Sequence, residues 1–161
     1  TMKKFLFMLV ALLTISASTM SISAQVSNSF ATFAAGDYAG TYNGDLTKVY
    51  MNTDKDPVSG VTSTVRENTS GTINIHIDAF QIGSMPGTIT IDANNIAVNA
   101  DGTFAQTCRR AVTLRILGIP TSYNAYVEGS IVNGELTYTI TVNSEYSGAL
   151  FTAIVTFKGN K

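Results

Sequence analysis

Charge is scarce in this chain. Asp, Glu, Lys and Arg make up 13% of its 161 residues and nearly cancel, to a net −1; the usual charged share is about 25%. No basic field exists to gather nucleic acid or an anionic membrane surface. Cysteine is limited to Cys108, so no disulfide within the chain can staple the fold. Tryptophan is absent and histidine is limited to His76, which leaves little from which to build a metal centre or a general base. The chain has no GxSxG, no phosphate loop, no HExxH and no CxxC. What it does have is 45% hydrophobic residues. That is too much apolar surface for a disordered chain, and the length suits one domain with a real core.

The first segment reads as an address. Lys3 and Lys4 form a positive region ahead of an apolar run from Phe5 to Leu13, and Ser21-Ile22-Ser23-Ala24 has the small-residue character of a cleavage site. The run is too short to cross a bilayer, which takes about 20 helical residues. Residues 1–24 are therefore expected to be a signal peptide, 25–37 an arm, and 38–161 the folded domain. Export to the periplasm or beyond follows as an expectation. No membrane span is expected in the mature protein.

From Tyr38 onward the hydrophobic pattern has period two. Ile73, Ile75, Ile77 and Ala79 alternate with Thr72, Asn74, His76 and Asp78; Leu136, Tyr138, Ile140 and Val142 alternate with Thr137, Thr139, Thr141 and Asn143. Side chains of a strand point to opposite faces in turn, so each segment has one apolar and one polar face. The abundance of Thr, Val and Ile favours strands as well. Asn133-Gly134 between two such runs predicts a hairpin with a type I′ turn. Asp101-Gly102 predicts a second, and Ser147-Gly148 either a third or a bulge.

The pattern gives eight strands, near 38–50, 59–67, 71–80, 87–98, 103–117, 121–132, 135–144 and 149–158. Short connections make sequence neighbours pair antiparallel. An all-β, eight-stranded up-and-down barrel satisfies this and removes the sheet edges; a two-sheet sandwich is the alternative. An outer-membrane barrel would need aromatic girdles and an apolar outer band, which the Thr- and Asn-rich outer faces do not provide.

Several segments resemble the calycin-like β-barrel family of small exported bacterial proteins. They are Tyr38-Ala39-Gly40-Thr41-Tyr42-Asn43-Gly44-Asp45-Leu46, Phe80 to Gly87, the Asn99-to-Thr103 turn, and Asn133-Gly134-Glu135-Leu136. The resemblance runs from about Tyr38 to Gly159. It implies an eight-stranded calycin-type barrel and no settled activity, so it assigns no functional residues. Lipocalins and fatty-acid-binding proteins, which share that architecture at large, hold small apolar ligands; here that is analogy of fold.

Among side chains that carry chemistry, unbroken alternation puts Arg110 on the inner face with Cys108 and Val112. A guanidinium there needs a partner or water, and it would suit a ligand carboxylate. A bulge that turns it outward, snorkelling to the barrel end, or pairing with Glu128 are the structural alternatives. Cys108 is expected to pack as a small inward hydrophobe. His76 shares the outer face with Asp78. The tyrosines are expected mainly in core or rim packing, and Asp37, Asp45, Asp54 and Asp56 as solvated loop acids. No catalytic residue, metal ligand or cofactor site is legible, and no enzyme activity is expected.

Two functional readings follow. One is an exported barrel that binds a small apolar or amphipathic ligand inside it, with Arg110 as the polar handle and Phe80, Ile82 and Met85 as an adaptable lid. The other is a non-enzymatic interaction module of the cell envelope with a packed interior. Interior volume discriminates them: a ligand barrel leaves space, and Gly40, Gly44, Ala79, Ala125 and Gly129 are the small residues that would leave it.

Overall fold

The computed structural model describes residues 38–161 except Thr69; the expected signal peptide and arm lie outside the described residues. The strands are β1 (Gly40–Met51), β2 (Asp54–Lys55), β3 (Val58–Glu67), β4 (Ile73–Phe80), β5 (Thr88–Ile96), β6 (Thr103–Ile116), β7 (Ile119–Val132), β8 (Glu135–Tyr146) and β9 (Ala149–Asn160). The eight long strands follow one another around a single antiparallel sheet. Pairing of β1 with β9, from Asn43↔Asn160 to Met51↔Ala153, closes it into a barrel. That closure excludes the sandwich. The two-residue β2 folds back on the end of β1 through Val49↔Lys55 and Tyr50↔Asp54.

The alternation read from the sequence is the burial pattern, except at Ala79, which was expected on the inner face and is exposed where the β4–β5 register shifts between Ile77 and Phe80. Ile73, Ile75 and Ile77 are buried while Asn74 and His76 between them are half-exposed; Leu136, Tyr138, Ile140 and Val142 repeat the pattern on β8. Asn133 at φ 52° and Gly134 at φ 79° form the expected primed turn. The same backbone form recurs at Ser147-Gly148 and at Leu117-Gly118.

Because every long strand reverses its predecessor, the connections collect at two ends. Connections 52–57, 81–87, 117–118 and 147–148 lie at one, here called the mouth; 68–72, 97–102 and 133–134 lie at the other, here called the plug. The plug half is filled with aromatic side chains. Tyr42, Phe104, Tyr138 and Phe157 are fully buried there, and the Tyr138 and Phe157 rings stack at 5.3 Å. The polar atoms of this half are paired: the Tyr42 hydroxyl donates to the Tyr38 carbonyl at 2.7 Å, and Ser63 Oγ meets the Tyr138 hydroxyl at 3.1 Å.

Two small residues expected to leave interior space serve another end. A Cβ on Gly44 would sit 2.0 Å from the Lys158 carbonyl oxygen, and one on Gly129 would sit 2.6 Å from Tyr138 Cβ. At both positions the missing side chain lets neighbouring strands come together, and the volume is used by the fold itself.

Arg110 does not face inward, and this corrects the parity reading. Between Cys108↔Ala125 and Val112↔Tyr123, residues 109–111 of β6 stand opposite Asn124 alone. The surplus forms a bulge. Arg110 takes φ 53°, its N–H donates to Asn124 Oδ1 at 3.0 Å, and its side chain is exposed. Ala111 is fully buried in the bulge. The physical reason is the cost of an unpaired guanidinium among apolar side chains. Two extra residues leave the parity unchanged, so Val112 and Leu114 still point inward.

Candidate functional site

The mouth half of the interior is lined by aliphatic side chains of moderate size. Ile89, Ile91, Val112, Leu114, Ile140, Val142, Ala153 and Val155 surround an apolar cavity of about 20 Å³, with Met51 and Phe151 over it. A space of ~10–15 Å³ is the minimum for one water, and apolar cavities of this kind stay dry. This cavity is therefore too small to hold a ligand as it stands.

Directly outside lies a groove of about 570 Å³. One wall is the 52–56 connection with Asn52, Asp54, Lys55 and Asp56; the other is the 82–86 segment with Ile82, Ser84 and Met85. Met51 and Phe151 line both the groove and the cavity, so these two side chains form the partition between them. Tyr123 packs on Phe151 at 5.4 Å between ring centroids, and its buried hydroxyl has no hydrogen-bond partner among the described residues. An orphaned buried hydroxyl is unusual enough to mark the spot.

Beside the groove the wall itself parts. β3 and β4 pair from Ser63↔Ile77 to Glu67↔Ile73, and their mouthward ends diverge. The slot between them is about 350 Å³ and is lined by Val58, Val61, Ile77 and Phe80, with Ser59, Thr62, Asp78 and Gln81 at the surface.

The structure thus places Ile82 and Met85 together at the mouth and Phe80 next door in the slot. The 82–86 segment is held by local bonds: Met85 N–H donates to the Ile82 carbonyl at 3.1 Å, and Gln81 Nε2 to the Met85 carbonyl at 2.6 Å. Arg110, outside the wall, is not with them. The charged groups that do border the groove are Lys55 and, on either side of it, Asp54 and Asp56. Sequence reasoning missed Met51, Lys55 and Phe151. Phe151 carries a usable signal, since it continues the inward parity of Ala153, Val155 and Phe157 to the rim.

Cys108 is buried as expected, and burial pushes its thiol up, away from the thiolate a nucleophile needs. Tyr42, Tyr123 and Tyr138 belong to the interior and Tyr126 to the outer surface, so the tyrosines form no common platform. Asp45 accepts from the Gly60 N–H at 2.9 Å. Among the described residues no three His, Cys, Asp or Glu side chains converge to hold a metal ion, and no helix is long and apolar enough to cross a membrane.

His76 gains a partner that linear spacing does not reveal. Cross-strand pairing sets it opposite Asp92, whose Oδ1 lies 2.6 Å from Nδ1; Asp78 Oδ1 lies 3.0 Å from Nε2. The Asp78 hydrogen bond first, and then Asp92, hold the imidazole above its ordinary value, with partial burial opposing. A raised folded value means the cluster stabilises fully below the unfolded value of about 6.5 and fades as pH rises through the folded one. The site is partly exposed, so the contribution is under about 1 kcal/mol. Melting temperatures of wild type and His76→Gln should differ most near pH 5.5 and converge in alkaline buffer. A gap that does not change with pH would remove the ion-pair account.

A family model described as the calycin-like beta-barrel domain matches residues 38–160. No curated protein and no solved structure matches the chain.

Proposed function

Since the chain belongs to the calycin-like β-barrel family, an assignment of fold and not of task, we propose that it is an exported, non-enzymatic binding protein that takes the apolar end of a small amphipathic molecule into the barrel mouth. The observation that carries this reading is the partition: a groove within the ~300–1,000 Å³ range of small-molecule sites lies against a dry apolar cavity, with Met51 and Phe151 between. Both partition residues stand at the barrel end, where β1 gives way to the 52–57 connection and β9 begins. Rotation of Phe151 joins the two spaces and lets an acyl or ring group replace its contacts. Lys55 and Ser84 at the rim meet the polar head. Export rests on the Lys3-Lys4 pair, the short apolar run and Ala24.

A fluorescent fatty-acid probe tests this reading. Wild type should bind with a fluorescence gain, and Ala153→Leu, which fills the cavity from β9, should keep the fold and weaken binding by about tenfold or more, a loss of about 1.4 kcal/mol or more. Equal binding by both proteins would put the probe elsewhere. The packed plug half and the small cavity favour the second reading, an envelope interaction module; absence of probe binding in wild type, with no molecule co-purifying by native mass spectrometry, would select it.

A further inference from the structure

The three primed hairpin turns share one backbone form, with the first residue near φ +50° and glycine second. At the plug that first residue is Asn133, a residue type that enters this region readily. At the mouth the turns carry Ser147 and Leu117. A leucine in this conformation is strained, because its Cβ crowds the neighbouring carbonyl. Packing does not compensate, since Leu117 is 90% exposed. Beyond it Ile119 is 69% exposed, and Leu150, on the next hairpin, is 79% exposed. The β7–β8 ladder stops at Tyr126↔Thr141, short of the mouth, but Tyr146 at the base of the β8–β9 tip still reaches Leu117 and Ile119 of the β6–β7 tip. Ile116 and Tyr146 line a furrow with Leu117 and Ile119. Strain retained at a fully exposed apolar side chain points to use and not to folding.

We propose that the mouth end docks on a lipid bilayer, with Leu117, Ile119 and Leu150 inserted among the lipids. Area selects this occupant. Three exposed aliphatic side chains amount to roughly a few hundred Å², well short of the ~800 Å² per partner that a stable protein interface or dimer buries. A bilayer needs only that apolar side chains reach its interface. Shape agrees, for projecting hairpin tips would need a matching hollow in a protein but none in a membrane. Charge defines the kind of surface. The mouth end carries Lys55 and Arg115 against Asp54, Asp56 and Glu145, and Arg115 is already bonded to the Gly118 carbonyl at 3.0 Å. With no basic excess, insertion is apolar and indifferent to anionic lipid. Docked this way, the groove opens toward the membrane. The inference does not require the groove to bind anything.

Co-sedimentation of the purified protein with phosphatidylcholine vesicles is the test. Wild type should pellet with the vesicles equally at low and high salt, and added phosphatidylserine should change little. Combining L117N, I119T and L150T should reduce partition by about tenfold or more. Leu117→Asn alone should weaken partition and raise the melting temperature by a few degrees, since Asn suits the turn. These opposite signs separate lost docking from lost folding. Wild type that stays in the supernatant, or a triple variant that pellets as well as wild type, overturns the proposal. So does self-association in sedimentation velocity that the triple variant abolishes, which would make the occupant a second copy. Probe uptake without vesicles reads the groove separately, so either inference can fail alone.

Discussion

Gly129→Val should destroy the barrel's stability, costing about 3 kcal/mol or more. The position is on β7 between Phe104 and Tyr138, with Phe104↔Gly129 on one side and Gly129↔Tyr138 on the other. A Cβ there would lie 2.3 Å from the Thr137 carbonyl oxygen and 2.7 Å from Tyr138 Cα. These are backbone atoms of the paired strand, so relief means separating β7 from β8 and losing ladder hydrogen bonds. With total stability of typical domains near 5–15 kcal/mol, chemical denaturation should show a large loss or no folded protein. Gly134→Ala is the contrast: nothing lies within 4 Å of its Cβ, and only the φ of 79° opposes the change. About 1 kcal/mol is expected there. Equal losses at the two positions would refute close strand approach as the role of Gly129.

Tyr138→Ala should cost about 3–5 kcal/mol, the range for removing a large buried aromatic. Its ring stacks on Phe157 and fills the plug half, and its hydroxyl is the partner of Ser63, a fully buried polar residue of the wall. Burial raises the hydroxyl far above the ordinary phenol range, so it remains protonated and holds that bond at any working pH. Tyr138→Phe separates the two contributions. It keeps the ring and orphans Ser63, for an expected cost of about 1–3 kcal/mol. Adding Ser63→Ala should recover part of that cost, because no buried group is then left unpaired. Urea titration of the three variants gives the comparison, and a Tyr138→Phe variant as unstable as Tyr138→Ala would place the energy in the hydroxyl alone.

Period-two alternation made the strands legible, since a closed barrel imposes one buried face on every strand. The order of neighbours followed from short connections, and Asn133-Gly134 announced its turn by the φ it needs. Arg110 was misplaced because parity assumes an unbroken ladder, and the surplus opposite Asn124 appears only when β6 and β7 are aligned in register. Asp92 joined His76 for a similar reason: the contact is across strands, sixteen residues away in sequence. Interior volume was the least legible quantity. Gly44 and Gly129 look like space in a sequence, but they become close strand contacts in the fold. Leu117 did offer a sign. An aliphatic residue ahead of glycine at a hairpin tip breaks the polar pattern of the other turns, and its exposure gives that break a meaning.

The mouth as the working end is tested most directly by mapping where a ligand acts. Backbone amide NMR spectra of the labelled protein, titrated with a soluble medium-chain fatty acid, should show perturbations concentrated at Met51 to Asp56, Ile82 to Gly87 and Phe151 to Ala153. The plug connections 68–72, 97–102 and 133–134 should remain unmoved. Perturbations centred on the plug or spread over the outer wall, with the mouth silent, would contradict the account.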